Sequence, residues 1–278
     1  MLDRLPVLVS RWLVAAVLWT GLASLASGQE FRVDTEVFYG QDKEPGVEAL
    51  TIFADGRVYD FLLTQQEITL FDPSRGQFTL LDEARRVKAT VKTQDLMGFA
   101  LDLETHAVEG KNALLAFAAR PQFETTSEEV NENGQQLVRL KLAGKLLEYS
   151  ALGQKPQRPE AVKIYRHFAD WYARLNATRD SNLPPGARLA LNAELADREL
   201  LPREIVRTMI TSANPLAKKD EVKSQHLVNW TLSGEDRKKI DRAHDSMATF
   251  KAVSYDEYRK PSSTKTSAPA GGNKQARR

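Results

Sequence analysis

The chain has 278 residues, 42% of them hydrophobic, with a formal net charge of +2 and no cysteine. That apolar share can fill a core for one large or two small domains, while the lack of cysteine excludes disulfides and attachment through a lipidated cysteine. Six basic residues and no acid lie in 259–278, which leaves the body at about −5 and excludes electrostatic binding of nucleic acid.

The first 28 residues read as an export signal. Arg4 and Arg11 give a positive start, residues 12–26 are an apolar run, and Ala26-Ser27-Gly28 offers the small residues a signal peptidase accepts. Arg11, Ser24 and Ser27 cut the stretch below the roughly 20 apolar residues a spanning helix needs. The expectation is cleavage after Gly28 and a mature chain in the periplasm or outside the cell, as part of a bacterial envelope. The sequons at Asn176 and Asn229 matter only in a glycosylating host and are read as chance.

Residues 30–92 predict an antiparallel meander. Phe31, Val33, Thr35, Val37 and Tyr39 alternate with Arg32, Asp34 and Glu36, the period of a strand buried on one side. A second strand over 47–54 meets Asp55-Gly56, a two-residue hairpin signal, and returns over 58–63. Further strands are expected at 67–71, 78–81 and 87–91, with Pro73 and Gly76 shaping the turn between the first two. At Thr93 the period changes to helical: Leu96, Phe99, Ala100, Leu103 and Ala107 share a stripe. Residues 111–119 read as a short helix, with a strand as the alternative. Strands then return at 123–130, 137–142 and 146–152, the first two joined by Asn133-Gly134.

Pro159 opens a long helix to about 179, with Val162, Tyr165, Phe168, Ala169, Tyr172 and Leu175 along its apolar face. A break at 182–186 leads into a helix over 187–199, then strands near 204–210 and 223–232. Ser233 caps a final helix bearing Glu235 and Asp236 in its first turn. The segment 153–158 is the best candidate for an internal boundary, and 259–278 has the composition of a disordered tail. The fold class expected is α+β: a curved antiparallel sheet, half-barrel-like, with helices covering one face.

No catalytic or metal-binding pattern stands out, and no cofactor is expected. His106, His167, His226 and His244 lack zinc-peptidase spacing, there is no Gly-x-Ser-x-Gly elbow, and phosphate-loop and dinucleotide fingerprints are absent. His167 and Asp170, three apart on one helix, could make an ion pair or half a metal site, and read more plainly as a surface pair. His226 shares its strand parity with Val222, Ser224, Val228 and Trp230 and reads as a partly buried structural residue. A carboxylate pair of glycosidase type stays open as a third class of function.

Aromatic residues crowd the early strands. Beside the plain reading as sheet core, Phe31, Val33, Val37, Tyr39, Tyr59, Phe61, Phe71 and Phe78 are candidate ligand-binding residues lining a hollow. Arg259, Lys260, Lys265, Lys274, Arg277 and Arg278 could tether the tail to an anionic envelope polymer or membrane surface. The segments 51–61 and 68–82, with their Asp55-Gly56 hairpin and Asp72-Pro73 turn, resemble the strand pattern of bacterial lipoprotein-carrier-like (LolA-like) half-barrel proteins. The wider chain resembles uncharacterised exported bacterial proteins. The half-barrel resemblance implies a concave apolar sheet roofed by helices that holds acyl chains or a hydrophobic protein segment.

The resulting expectation is a non-enzymatic extracytoplasmic protein that binds a hydrophobic or amphiphilic envelope component in the hollow of its sheet. The alternative is an envelope structural or interaction module that uses its basic tail.

Overall fold

A computed structural model describes residues 30–179, 183–210 and 220–260. The proposed export signal, and Lys265, Lys274, Arg277 and Arg278 of the tail, lie outside the described residues. The described residues form an α+β fold, built on one mostly antiparallel sheet of twelve strands that does not close on itself.

The first meander comprises β1 (Phe31–Tyr39), β2 (Val47–Ala54), β3 (Arg57–Leu62), β4 (Glu67–Asp72), β5 (Gln77–Asp82) and β6 (Val87–Lys92). It is followed by α1 (Thr93–Glu109) and α2 (Ala113–Ala119). The second meander comprises β7 (Glu124–Glu132), β8 (Gln135–Ala143) and β9 (Leu147–Gln154). After α3 (Glu160–Ala177) and α4 (Gly186–Asp197) it continues with β10 (Leu201–Met209) and β11 (Asp220–Asn229). The chain then forms α5 (Gly234–Thr249), the short β12 (Lys251–Ala252) and α6 (Tyr255–Arg259).

The two sequence-local hairpin signals hold. Asp55 and Gly56 both take positive φ, as do Asn133 and Gly134, the backbone that lets a two-residue turn match the twist of its strands. What joins the meanders is a long-range pairing: β1 lies between β2 and β11, with Val33 opposite both Thr51 and Val228. The sheet is therefore continuous across 153–158, since β9 pairs with β10 on one side and β8 on the other. β7 and β12 form its two edges, and β12 pairs with β6 in parallel.

Side-chain alternation divides the sheet into two faces. On one, Phe31, Val33, Phe53, Val58, Phe71, Phe78 and Leu80 pack against Val162, Phe168 and Leu175 of α3. Farther along that face, Leu140, Leu142, Tyr149, Ala151 and Ile205 pack against α2 and against Leu191 and Leu195 of α4. Each fully buried large apolar side chain contributes about 1.5–3 kcal/mol, so this layer dominates the stability.

The expectation that helices cover a single face is corrected. Ile240 and Ala243 of α5, with Phe250 after it, pack on the opposite face against Leu50, Ile52, Tyr59, Phe61 and Leu70. The reason lies in how β2 to β4 are composed: they are apolar at both parities, so the sheet there is greasy on both sides and needs a second cover. Polar anchoring fixes α5 in place. Ser233 and Asp236 form a reciprocal capping box, and Asp236 accepts from Arg32 of β1 at 2.8 Å.

The C-terminal boundary also moves. Arg259 lies within α6, where it donates to the Thr178 carbonyl at 2.7 Å. Tyr258 is buried, and Arg85 donates to the carbonyls of Tyr258 (2.6 Å) and Lys260 (3.1 Å). Arg259 and Lys260 thus belong to the docked body. Short elements such as β12 and α6 lack a periodic run long enough to read from sequence.

Candidate functional site

A cavity of about 450 Å³ lies between the α3 face of β1, β2, β3 and β11 and the helices α3 and α4. Strand alternation presents Val33, Thr35, Val37 and Tyr39 to it from β1, and Ser224 and His226 from β11. The apolar stripe of α3 supplies Tyr165, Phe168 and Tyr172 as the roof. The walls are mostly apolar, with polar groups converging on the floor.

Asp60 is the first of these. It sits on β3 at the inward parity, between Val58 and Leu62, and is 5% exposed. Thr51 donates to one carboxylate oxygen at 2.6 Å and Tyr172 to the other at 2.8 Å. Desolvation raises its pKa above the ordinary carboxylate value even against those two hydrogen bonds. Tyr172 is pushed well above its usual range by burial and by the adjacent Asp60, so its hydroxyl remains a donor.

His226 is the second. It is closed in by protein but open to the cavity, with Nδ1 3.0 Å from Thr35 Oγ1 and Nε2 3.0 Å from Ser224 Oγ. Desolvation, with a smaller contribution from nearby Arg188, lowers its pKa to about 3. The imidazole is therefore neutral at physiological pH. The chemistry this floor supports is hydrogen bonding to a bound molecule.

Arginines border the cavity at two points. Arg179 forms an ion pair with Glu67, which also accepts from Tyr258 at 3.1 Å. Arg188 of α4 donates through Nε to Asn192 at 3.0 Å, and Asn192 donates to Asp170 at 2.8 Å.

The expected site residues divide three ways. Val33, Val37 and Tyr39 line the cavity. Phe31, Phe71 and Phe78 share its face but are consumed in the adjoining core, where Phe31 stacks on Phe53 at 4.2 Å and Phe71 on Phe78 at 4.6 Å. Tyr59 and Phe61 point to the opposite face, under α5, where the Tyr59 hydroxyl lies 2.9 Å from His244 Nε2. Asp60, Tyr172 and Arg188 were missed by the sequence reading. A charged residue at the buried parity of β3 was the available signal for Asp60; nothing local marked the others. His167 does not pair with Asp170. Its ring lies against Phe71 at 5.6 Å, while Asp170 pairs with Arg166.

Among the described residues, no cluster of three or more His, Asp or Glu side chains could hold a metal ion, and no helix is long and apolar enough to cross a membrane. No family model matches the chain, and no curated protein matches it. A solved structure titled "Structure of PNGF-II in C2 space group" is similar at a TM-score of 0.36 and 9% identity. That similarity covers 81% of this chain but 31% of the other, and at such a score it carries no argument about function.

Proposed function

We propose that this is an extracytoplasmic binding protein that holds a hydrophobic or amphiphilic envelope component between its sheet and α3. The carrying observation is the cavity of about 450 Å³, apolar at Val33, Val37 and Phe168 and polar at Asp60, Thr51 and His226. Its size falls within the roughly 300–1,000 Å³ of small-molecule sites, and its composition matches their pattern of apolar walls with a few convergent polar groups. In this reading the right-handed twist of the long sheet curls the α3 face into a half-barrel-like trough. Much of that trough is filled by the protein's own aromatic side chains, and the part beside β1 and β11 remains for a ligand.

Export is part of the same proposal and rests on residues 1–28. The alternative, a tail that contacts anionic polymer, would rest on Lys260, Lys265, Lys274, Arg277 and Arg278, because the Arg259 guanidinium is engaged with Thr178 and Asp256.

The test uses the neutral fluorophore N-phenylnaphthylamine, with native mass spectrometry for co-purified amphiphiles. The wild-type protein should bind the probe, and Ala173→Trp, which fills the cavity from α3, should weaken binding at least tenfold while retaining the circular dichroism of the fold. Probe binding that is unchanged in Ala173→Trp, with nothing co-purified, overturns the proposal.

A further inference from the structure

A second cavity, of about 230 Å³, adjoins the first, and Ala173, Asn176, Arg188 and Ser224 line both. It is built where β9, β10 and β11 lie side by side: Tyr149, Arg207 and Val222 stand opposite one another in register on the α3 face. The start of α4 closes it from above, through Pro185, Ala187 and Arg188.

Its charge is one-sided. Arg188 and Arg207 both line it, and no described carboxylate does. No ion pair joins either arginine to a described acid. Among the described residues, the hydrogen bond that holds Arg188 runs from Nε to the neutral Asn192. Arg207 is stranger still: its Nε is buried and no described group accepts its proton. Buried polar groups are nearly always satisfied, and a buried guanidinium N–H without an acceptor is costly to keep. The two guanidiniums are also the charged groups that act on the buried Tyr149 hydroxyl. The N-terminus of α4 adds little, because Gly186 packs directly on the carbonyls of Ala118 and Ala119 at the end of α2.

Two guanidiniums that no described acid neutralises, lining one small cavity, match the charge of a phosphate or carboxylate, which guanidiniums grip through paired N–H donors. Resting on the binding reading above, we infer that Arg188 and Arg207 form an anion subsite for the headgroup of the amphiphile whose apolar chain occupies the larger cavity. The shared lining by Arg188 and Ser224 makes the two compartments one bipartite site. The ligand class is then a singly or doubly charged anionic amphiphile, such as an alkyl phosphate or a fatty acid.

Calorimetry with three probes tests this: decyl phosphate, neutral 1-decanol and inorganic phosphate. Decyl phosphate should bind the wild-type protein at least tenfold more tightly than decanol. Arg207→Met should bring it to the decanol level while leaving decanol binding and the thermal midpoint unchanged or the midpoint slightly raised, since an unsatisfied N–H is removed. Arg207→Lys should recover part of the difference. Inorganic phosphate should bind weakly and in an Arg207-dependent way. Equal affinity for decyl phosphate and decanol in the wild-type protein overturns the anion subsite but leaves the binding reading intact. Binding of neither amphiphile overturns the binding reading itself, and with it the subsite. Inorganic phosphate that binds as tightly as decyl phosphate overturns the bipartite assignment in favour of a free-anion site.

Discussion

Tyr172 of α3 donates its hydroxyl to Asp60 of β3 at 2.8 Å, which ties the roof of the cavity to its floor. The carboxylate is completed by Thr51 at 2.6 Å. Because desolvation raises the pKa of Asp60 in the folded state, the native protein binds that proton more tightly than the unfolded chain does. The linked stability is greatest below the ordinary carboxylate pKa and is withdrawn as pH rises through the folded value. Asp60→Asn removes this slope. Urea midpoints measured between pH 4 and 7 should fall for the wild-type protein relative to Asp60→Asn as pH rises; parallel curves would show that the carboxylate is not held in this way.

His226 gives the opposite dependence. Its folded pKa of about 3 lies below the ordinary 6.5, first through desolvation and then through Arg188. The unfolded chain therefore takes up the proton first, and stability present above pH 6.5 is lost as pH falls toward 3. His226→Gln keeps a donor and an acceptor for Thr35 and Ser224 without a titrating group. Its stability should be flatter than the wild type's from pH 6.5 to 4.5, which thermal melts at matched ionic strength will read directly.

Asp236 is 1% exposed and carries both the cap of α5 and the bond to Arg32. Burial opposes its ionisation, but hydrogen bonds from the Ser233 backbone and side chain, with Arg32, hold its pKa below the usual carboxylate value. The Arg32 partner is part-exposed, so losing the charge-assisted hydrogen bond costs about 1.5–3 kcal/mol, and losing a serine cap about 1 kcal/mol. Asp236→Ala should therefore destabilise by about 3 kcal/mol and Ser233→Ala by about 1 kcal/mol in denaturant titrations. A neutral Asp236→Ala would show that α5 is held to the sheet by its apolar face alone.

Gly186 begins α4 in contact with the end of α2. A Cβ there would collide with the carbonyl oxygen of Ala119 and lie 2.8 Å from that of Ala118. Gly186→Ala should destabilise by about 1–3 kcal/mol, as overpacking against backbone does, despite the better helix propensity of alanine. Gly98, on α1, has nothing within 4 Å of its would-be Cβ, so Gly98→Ala should stabilise by about 0.5–1 kcal/mol. Chemical denaturation of the two variants checks both signs.

Much of the secondary structure was legible because it is written in local periods. The alternation of Phe31, Val33, Thr35, Val37 and Tyr39, the Asp55-Gly56 and Asn133-Gly134 turns, and the apolar stripe of α3 all appear where the residues require them. The shared face of Val33, Val37 and Tyr39 follows from the same alternation, and they do line the cavity. The remaining aromatic candidates divided differently. Alternation sends Tyr59 and Phe61 to one side and Phe71 and Phe78 to the other, but it does not say which side will stay partly open.

Local sequence determined that the chain makes two antiparallel meanders, long amphipathic helices and tight two-residue turns, because strand and helix periods and turn chemistry act over a few residues. Only the tertiary structure decided that β1 would seat itself against β11, that α5 would cover the second face, and that Arg188 and Arg207 would meet in one compartment. Those outcomes depend on pairings between segments far apart in the chain, where the area buried by the whole sheet outweighs the entropy of closing a long loop, and no short stretch of residues encodes that balance.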